Sequence, residues 1–341
     1  MKLIIQIPCY NEETTLPATL ADLPRELDGI DCIEYVVIDD GSTDHTSDVA
    51  RQHGAHHVVR FTNNKGLAAA FKAGLDAALA LGADIIVNTD ADNQYQATGI
   101  ADLVGPILRG EADMVIGVRP IEQIEEFSAL KKKLQRLGSW VVRRVSRTDI
   151  PDVTSGFRAY SRQAALALNI VSEFTYTLET VIQAGQQNLA ITHVPIRTNP
   201  KTRPSRLFKS IGSYVRRSLG TIFRIYTMYR PLRVFSLIGG VLLTVGLILA
   251  VRYLVYVALG EGKGHVQSVI ISGVLLNLGF VVMMIGILAD LASANRRLIE
   301  EVLLRVRRLE LGARREPSTH ADRGNAAAPA DGDTSASDRP E

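Results

Sequence analysis

The chain has 341 residues, 46% of them apolar and 22% charged, and its net charge at pH 7 is +2. This length allows a sizeable core and one large domain with additional elements, and the net charge says little. We expect no nucleic-acid partner. Two cysteines exclude a disulfide framework or a thiolate metal site and fit a reducing compartment. An apolar run begins at residue 3 without a charged leader, so we expect no secretory signal peptide.

Apolar runs rich in β-branched residues predict buried strands along the first third of the chain. Four of them cover residues 3–7, 35–38, 57–60 and 85–87, and a fifth covers residues 113–118. One helix is expected to begin at Thr14 or Thr15, and a second is expected to end at about Gln52. A third is expected where Leu67, Phe71, Leu75 and Leu79 recur at helical spacing. Strands that alternate with helices predict a doubly wound, mainly parallel α/β sheet.

Two acidic residues follow the fourth strand directly. Asp90 and Asp92 are therefore expected at the carboxyl end of a parallel strand, which is where open α/β sheets bind ligands. Two carboxylates there suit Mg²⁺ or Mn²⁺ held against a diphosphate, although an isolated Asp-x-Asp also fits a solvated turn. The acidic turn at residues 39–44 follows the second strand and either caps the next helix or contacts a ligand.

Two stretches, residues 127–145 and 207–229, combine an apolar helical face with Lys and Arg. Both suit anionic headgroups or phosphates, and the first also fits an ordinary packed helix with a solvated face. Two uncharged runs, residues 234–251 and 266–289, are each long enough to cross about 30 Å of hydrocarbon and predict a transmembrane hairpin. Arginines outside both runs predict cytoplasmic outer ends.

Five segments in this order resemble the family 2 glycosyltransferases of the GT-A fold: residues 8–13, 39–44, 64–66, 90–94 and 155–158. More narrowly, the chain is similar to polyprenyl-phosphate glycosyltransferases related to dolichol-phosphate mannose synthase, in the branch with a two-helix membrane anchor. The resemblance implies a cytoplasmic GT-A domain (α/β, Rossmann-like) at residues 1–205, juxtamembrane amphipathic helices at 206–232 and a transmembrane hairpin at 233–291. A cytoplasmic basic helix at 292–312 and a disordered tail at 313–341 complete the expected organisation.

The resemblance also implies where the donor binds. The positions that match the family's nucleotide pocket are Pro8, Tyr10, Glu12, Ile38, Asp40 and Ala91. Asp40 is expected to hydrogen-bond the base, and Lys65 either touches the nucleotide or lies on the surface. The metal group matches Asp90, Asp92 and Gln94, with Mg²⁺ or Mn²⁺ as the expected ion. Arg206 belongs to a basic loop that would close over the diphosphate.

The acceptor site is implied in the same way. Arg119 matches an arginine implicated in phosphate binding, and Lys131 and Gln135 stand where the family has Arg and Ser. Asp152 would orient the acceptor phosphate, act as a base, or bond to Arg158 in a structural role. With Arg119 and Asp92 it forms the expected catalytic group. A strong base is dispensable because a phosphate monoester is mostly ionised at neutral pH.

The implied reaction is inverting transfer of a sugar from a UDP- or GDP-linked donor to a polyprenyl phosphate of the undecaprenyl type. It would occur at the cytoplasmic membrane, with the catalytic domain and both termini in the cytoplasm. A different acceptor and a non-catalytic membrane scaffold are the alternatives. A processive polysaccharide synthase is disfavoured because the chain lacks a Gln-x-x-Arg-Trp motif. Self-association into dimers or tetramers is a further expectation, because membrane hairpins pack readily.

Overall fold

The computed structural model describes residues 1–120, 148–171, 176–199, 220, 223–224, 226–261, 264 and 266–315, without the side chains of residues 297 and 313–315. The basic stretch predicted at residues 127–145 and most of the second one lie outside these residues. So do Lys131, Gln135 and Arg206, and the tail beyond residue 315.

Seven strands form one mixed sheet in the order β3-β2-β1-β4-β6-β5-β7. They are β1 Lys2–Cys9, β2 Cys32–Asp39, β3 His57–Arg60, β4 Ile85–Asn88, β5 Met114–Val118, β6 Arg158–Ser161 and β7 Ile191–Pro195. β6 runs antiparallel to β4 and β5, and every other pair is parallel. The predicted mainly parallel α/β sheet is confirmed. The expected loop at residues 152–158 was too long by one residue, because Arg158 already begins β6.

Helices cover both faces of the sheet. They are α1 Leu16–Asp22, α2 Thr46–Gln52, α3 Leu67–Ala80, α4 Gly99–Leu108, α5 Arg162–Ala167 and α6 Tyr176–Gln186. Alternate residues of one strand enter opposite cores: Ile86 packs in one apolar cluster, and Ile85 and Val87 pack in the other. Because the strands are buried on both sides, they appear in the sequence as continuous apolar runs rather than alternating ones.

Two long helices follow the sheet domain: α7 Pro231–Ala258 and α8 Val266–Arg315. Both contain apolar stretches long enough to cross a membrane, judged by length and composition, and only 11% of the most apolar window of α7 is buried. The two helices approach closely at glycines. A Cβ atom at Gly239 would lie 2.9 Å from the carbonyl oxygen of Gly279, and the Ser272 hydroxyl donates to the Gly246 carbonyl at 2.7 Å.

Helix α8 continues without a break beyond its apolar run and contacts the sheet domain. Arg307 donates to the carbonyl oxygens of Leu166 and Leu168 at 3.4 and 3.3 Å, at the C-terminal end of α5. Leu304 and Leu311 pack against the core cluster that contains α3. The helix expected at residues 292–312 is therefore the end of a 50-residue helix with one face on the sheet domain.

Candidate active site

Six loops, which carry the sequence motifs and Arg119, meet at one edge of the sheet. The five strands from β1 to β5 run in the same direction, so the loops that follow them leave from the same side. β6 runs the other way, and the loop that precedes it reaches this edge, since Asn88 at the end of β4 pairs with Arg158 at the start of β6. The motifs thus converge because of strand direction alone.

Asp40 connects two of these loops. Its carboxylate is 3% exposed and accepts hydrogen bonds from the backbone N–H groups of Lys65 and Gly66 at 2.7 and 2.8 Å. Burial raises the pKa of Asp40, and the two hydrogen bonds oppose that shift only in part. The loops also touch through Gly41, where a Cβ atom would lie 2.4 Å from the backbone of Asn63. Glycine is needed here because the two backbones approach so closely.

The neighbouring acidic residues stabilise turns. Asp39 is fully buried and accepts from the Ser42 N–H at 2.8 Å and from the Ser47 hydroxyl. Asp44 accepts from the Thr46 N–H at 3.0 Å, in the first turn of α2. These contacts fit turn formation by the acidic residues, whereas the N-cap of α2 is His45, which has no side-chain capping bond.

Around Asp40, the other residues expected in the nucleotide pocket lie on the same edge. Pro8 and Ile38 are buried near the ends of β1 and β2, and Tyr10 is 40% exposed in the loop after β1. Glu12 is 6% exposed and accepts from the Thr15 hydroxyl at 2.6 Å. These residues therefore lie at the same edge of the sheet as the acidic loop after β4.

The acidic loop after β4 places two partly exposed carboxylates, Asp90 and Asp92, on this edge. Ala91 between them is buried, and its carbonyl accepts from the Thr19 hydroxyl at 2.9 Å, which anchors the loop to α1. The Gln94 N–H donates to Asp92 Oδ1 at 3.3 Å. Within the described part of the chain, no group of three or more His, Cys, Asp or Glu residues is suited to hold a metal.

A buried polar network lies beneath Asp90. The Asn88 side-chain amide donates to the Gly156 carbonyl at 2.8 Å and to the Tyr176 hydroxyl at 2.9 Å, and the Gly156 N–H donates to the Tyr95 hydroxyl at 3.2 Å. A Cβ atom at Gly156 would lie 3.1 and 3.2 Å from the two Asp90 oxygens. The network therefore fixes Gly156 against the Asp90 carboxylate.

Tyr95 belongs to this network and stays protonated. Its ring stacks on Phe157 with centroids 4.9 Å apart, and burial raises the pKa of Tyr95 to about 12. Tyr95, at the end of the acidic loop, thus holds the loop before β6 through its contacts with Gly156 and Phe157.

Arg119 and Asp152 form a buried ion pair at the other side of the site. Arg119 Nε and Nη2 donate to the two Asp152 oxygens at 2.7 and 3.1 Å, and Nη2 also donates to the Thr154 hydroxyl at 2.9 Å. Burial alone would raise the pKa of Asp152, but the charge and hydrogen bonds of Arg119 hold it below its usual range. Asp152 is therefore an ionised carboxylate whose two oxygens both face a guanidinium.

The prediction of a structural bond between Asp152 and Arg158 is wrong. Arg158 is fully buried, and its guanidinium donates to the carbonyls of Ser155, Val153 and Thr177 at 2.7, 2.8 and 2.9 Å. A further bond goes to the Thr180 hydroxyl at 2.7 Å. Sequence proximity suggested Arg158, but its side chain organises the backbone of its own loop while Arg119 arrives from the end of β5.

Most of the expected site residues lie on this one edge. They are Pro8, Tyr10, Glu12, Ile38, Asp40, Asp90, Ala91, Asp92, Gln94, Arg119 and Asp152. Sequence reasoning missed Asn88, Tyr95, Thr154 and Tyr176. Tyr95 and Thr154 are adjacent to recognised motifs and could have been found there, whereas the contact of Tyr176 with Asn88 links residues 88 positions apart.

Comparison with known proteins agrees with this geometry. Residues 4–168 match the model of glycosyl transferase family 2. The UDP-N-acetylglucosamine–dolichyl-phosphate N-acetylglucosaminyltransferase of Methanococcus voltae is 31% identical over 218 residues, which are 56% of this chain and 83% of that protein. The undecaprenyl-phosphate mannosyltransferase of Micrococcus luteus is 29% identical over 206 residues, 58% of this chain and 83% of that protein.

A solved structure shares the fold. Glucosyl-3-phosphoglycerate synthase from Mycobacterium tuberculosis, determined with Mn²⁺, UDP-glucose and phosphoglyceric acid, aligns with a TM-score of 0.54 at 23% identity. The alignment covers 66% of this chain and 79% of that one. With a family match over the sheet domain and a relative above 30% identity, the chain belongs to glycosyl transferase family 2 and is a glycosyltransferase.

Proposed function

We propose that this enzyme transfers a sugar from a UDP- or GDP-linked donor to a polyprenyl phosphate at the cytoplasmic face of a membrane. The observation that carries the proposal is the pairing, on one sheet edge, of an acidic loop at Asp90 and Asp92 with the buried Arg119–Asp152 pair. One side suits a cation-bound diphosphate, and the other suits an anionic acceptor.

The two sides are close enough to interact. Burial alone would lower the pKa of Arg119, but the charges of Asp152 and Asp90, together with the Asp152 hydrogen bond, raise it above its usual range. Arg119 therefore remains cationic throughout the physiological pH range. A permanent positive charge beside the acidic loop is what two anionic substrates need in order to approach each other.

The donor side fits a divalent cation. Mg²⁺ and Mn²⁺ are commonly held by one or two protein carboxylates, with substrate phosphates as further ligands. Asp90 and Asp92 supply that number of carboxylates, and Gln94 adds an amide, so these residues would hold the ion. When bound, the ion would neutralise the charge that develops on the departing diphosphate.

The acceptor side requires positioning more than proton removal. A phosphate monoester is mostly ionised at pH 7, so its oxygen can attack without a strong base. Arg119 would bind the acceptor phosphate and hold it behind the anomeric carbon, and Asp152 would hold the guanidinium in place. A single displacement in this arrangement inverts the configuration at the anomeric carbon.

The acceptor class follows from the relatives and the two long helices. The two relatives transfer different sugars, yet each is named for a polyprenyl-type phosphate acceptor. Helices α7 and α8 have the length and composition of membrane spans, and arginines flank their outer ends. We therefore place the site on the cytoplasmic side, where a lipid-linked phosphate can reach it.

The test is a transfer assay with the purified, detergent-solubilised full chain. It contains undecaprenyl phosphate, Mn²⁺ or Mg²⁺, and a panel of radiolabelled UDP- and GDP-sugars, and is followed by organic extraction. We expect a labelled lipid that is lost with EDTA and with Asp92→Asn. Donor hydrolysis without labelled lipid would refute the acceptor, and failure to bind any sugar nucleotide would favour the scaffold alternative.

A further inference from the structure

An exposed apolar stripe lies on helix α8 beyond its membrane-length run. We define the stripe as Leu298, Ile299, Val302, Val306 and Leu309, whose exposed fractions range from 43% to 73%. The last uncharged run ends at Ala289. At about 1.5 Å per residue, Val302 lies roughly 18 Å further along the helix axis than Asp290. Large aliphatic side chains thus stand in water unless something covers them.

The stripe faces away from the enzyme's own sheet domain. Leu304, Arg307 and Leu311 contact that domain, and at 100° per residue they occupy the side of the helix opposite Val302. One face of this segment is therefore used within the chain, and the apolar stripe is the other face.

Lipid and the C-terminal tail are poor candidates to cover the stripe. α8 is one continuous helix, so this segment extends outward from the proposed membrane span instead of lying in the membrane surface. Residues 316–341 contain no Leu, Ile, Val, Phe, Met, Tyr or Trp that could pack on it. The occupant must bring its own apolar surface to the same height above the membrane.

We propose that the stripe pairs with the same stripe of a second copy of this chain, forming a parallel two-helix contact. Two copies inserted in one bilayer present α8 in the same direction and at the same height, so the stripes meet in register. Leu291, Leu298, Val302 and Leu309 follow one another at intervals of seven, four and seven residues, and Asn295 and Arg305 occupy the coiled-coil seam positions between them. An Asn at a single seam position fixes the register of a parallel pair at a cost in stability. A two-fold axis along the membrane normal makes this contact self-complementary.

The charges beside the stripe are compatible with this pairing. Arg305 lies in the seam between Val302 and Leu309, and its ion pair with Glu301 one turn earlier, at 2.5 Å, offsets its charge within the same helix. The apolar line also continues toward the membrane through Leu291, which is 61% exposed. The contact would therefore extend from the bilayer surface along the cytoplasmic helix.

The inference rests on the proposed membrane anchoring, and disulfide trapping in native membranes tests it without reference to activity. The full chain would carry Cys32→Ser, to remove the exposed thiol, together with Val302→Cys; Cys9 is buried. Arg308→Cys in the same background is the matched control, because Arg308 is exposed but lies away from the stripe. Carbonate extraction reports membrane insertion in the same samples.

We expect oxidation to convert most of the Val302→Cys protein, and little of the Arg308→Cys protein, into a species with the mass of two chains. Dilution of the membranes with added lipid should lower this yield and raise maleimide labelling of Val302→Cys.

Equal cross-linking at both positions, or none at Val302 in carbonate-resistant protein, would overturn the pairing and leave the anchor intact. Protection from maleimide that dilution does not change would assign the stripe to another segment of the same chain. Release of the protein by carbonate would refute the anchoring, and the pairing with it.

Discussion

The Arg119–Asp152 pair is the buried contact whose loss we expect to be most costly. The Asp152 side chain is fully buried and that of Arg119 is 19% exposed, so Asp152→Asn leaves a guanidinium with little access to water. Removing one partner of such a pair costs about 3–5 kcal/mol in the free energy of unfolding. Arg119→Met should cost a similar amount because it leaves a fully buried carboxylate without a cation, with only the Thr154 N–H and hydroxyl still donating to it.

The double variant isolates the interaction energy between Arg119 and Asp152 from the contributions that each side chain makes separately. Asp152→Asn with Arg119→Met removes both charges, so its cost should fall short of the summed single costs by about 1–3 kcal/mol. Urea unfolding of the four forms in detergent measures this difference. Additivity within about 0.5 kcal/mol would refute the reasoning. Thr154→Val is the comparison that keeps both charges: it removes the 2.9 Å bond from Arg119 and the 2.8 Å bond that the Thr154 hydroxyl donates to Asp152, a loss of roughly 2 kcal/mol.

Kinetics of the same variants distinguish a positioning role for Asp152 from that of a base. If Asp152 acts through Arg119, both single variants should lower kcat/KM for the polyprenyl phosphate by similar factors and leave donor affinity unchanged. A base would make Asp152→Asn far more damaging than Arg119→Met. Unchanged acceptor kinetics in Arg119→Met would remove that residue from the acceptor site.

Three further predictions concern the donor side and pH. Asp92→Ala should abolish transfer while the protein remains carbonate-resistant, and near-normal turnover would contradict the metal assignment. Gly156→Ala should weaken Mn²⁺ binding roughly 10-fold in a spin-resonance titration, because its Cβ crowds the Asp90 oxygens; Gly105→Ala, which meets only a flexible arginine, is the control. Because the pKa of Asp152 is lowered in the folded state, the stability that it contributes is complete above about pH 4. That stability should disappear only as the pH falls through the lower folded pKa, so unfolding curves from pH 8 to 5 should show no step that Asp152→Asn removes.

The sequence predicted the strands well for a physical reason. Parallel strands covered on both faces need uninterrupted apolar residues, so β1, β2 and β4 are visible as runs that end where the motifs begin. Strand direction then brings Asp40 and Asp90 to one edge without further information. The reversal of β6 gives no such signal, since a four-residue strand reads the same in either direction.

Side-chain partners were harder to predict because they depend on packing between distant residues. Asp152 and Arg158 are close in sequence and opposite in charge, yet β6 directs Arg158 into the core, where carbonyl groups satisfy it. Asp40 shows the same limit, because its bonds to the loop before α3 depend on how α3 packs on the sheet. Tertiary contacts decide such partners, and neither motif nor spacing records them.

The reversed strand has one more consequence, which concerns chain topology. β5 reaches the site edge immediately before Arg119, and Asp152 lies at the same edge shortly before the chain enters β6. The bidentate pair thus joins the two ends of the roughly 30 residues between Arg119 and Asp152. It helps to offset the entropic cost of closing a loop of that length. Lys131 and Gln135 belong to this segment. An acceptor phosphate that binds Arg119 would therefore bind at the ion pair that joins the two ends of this segment, and the segment carries the other expected phosphate ligands.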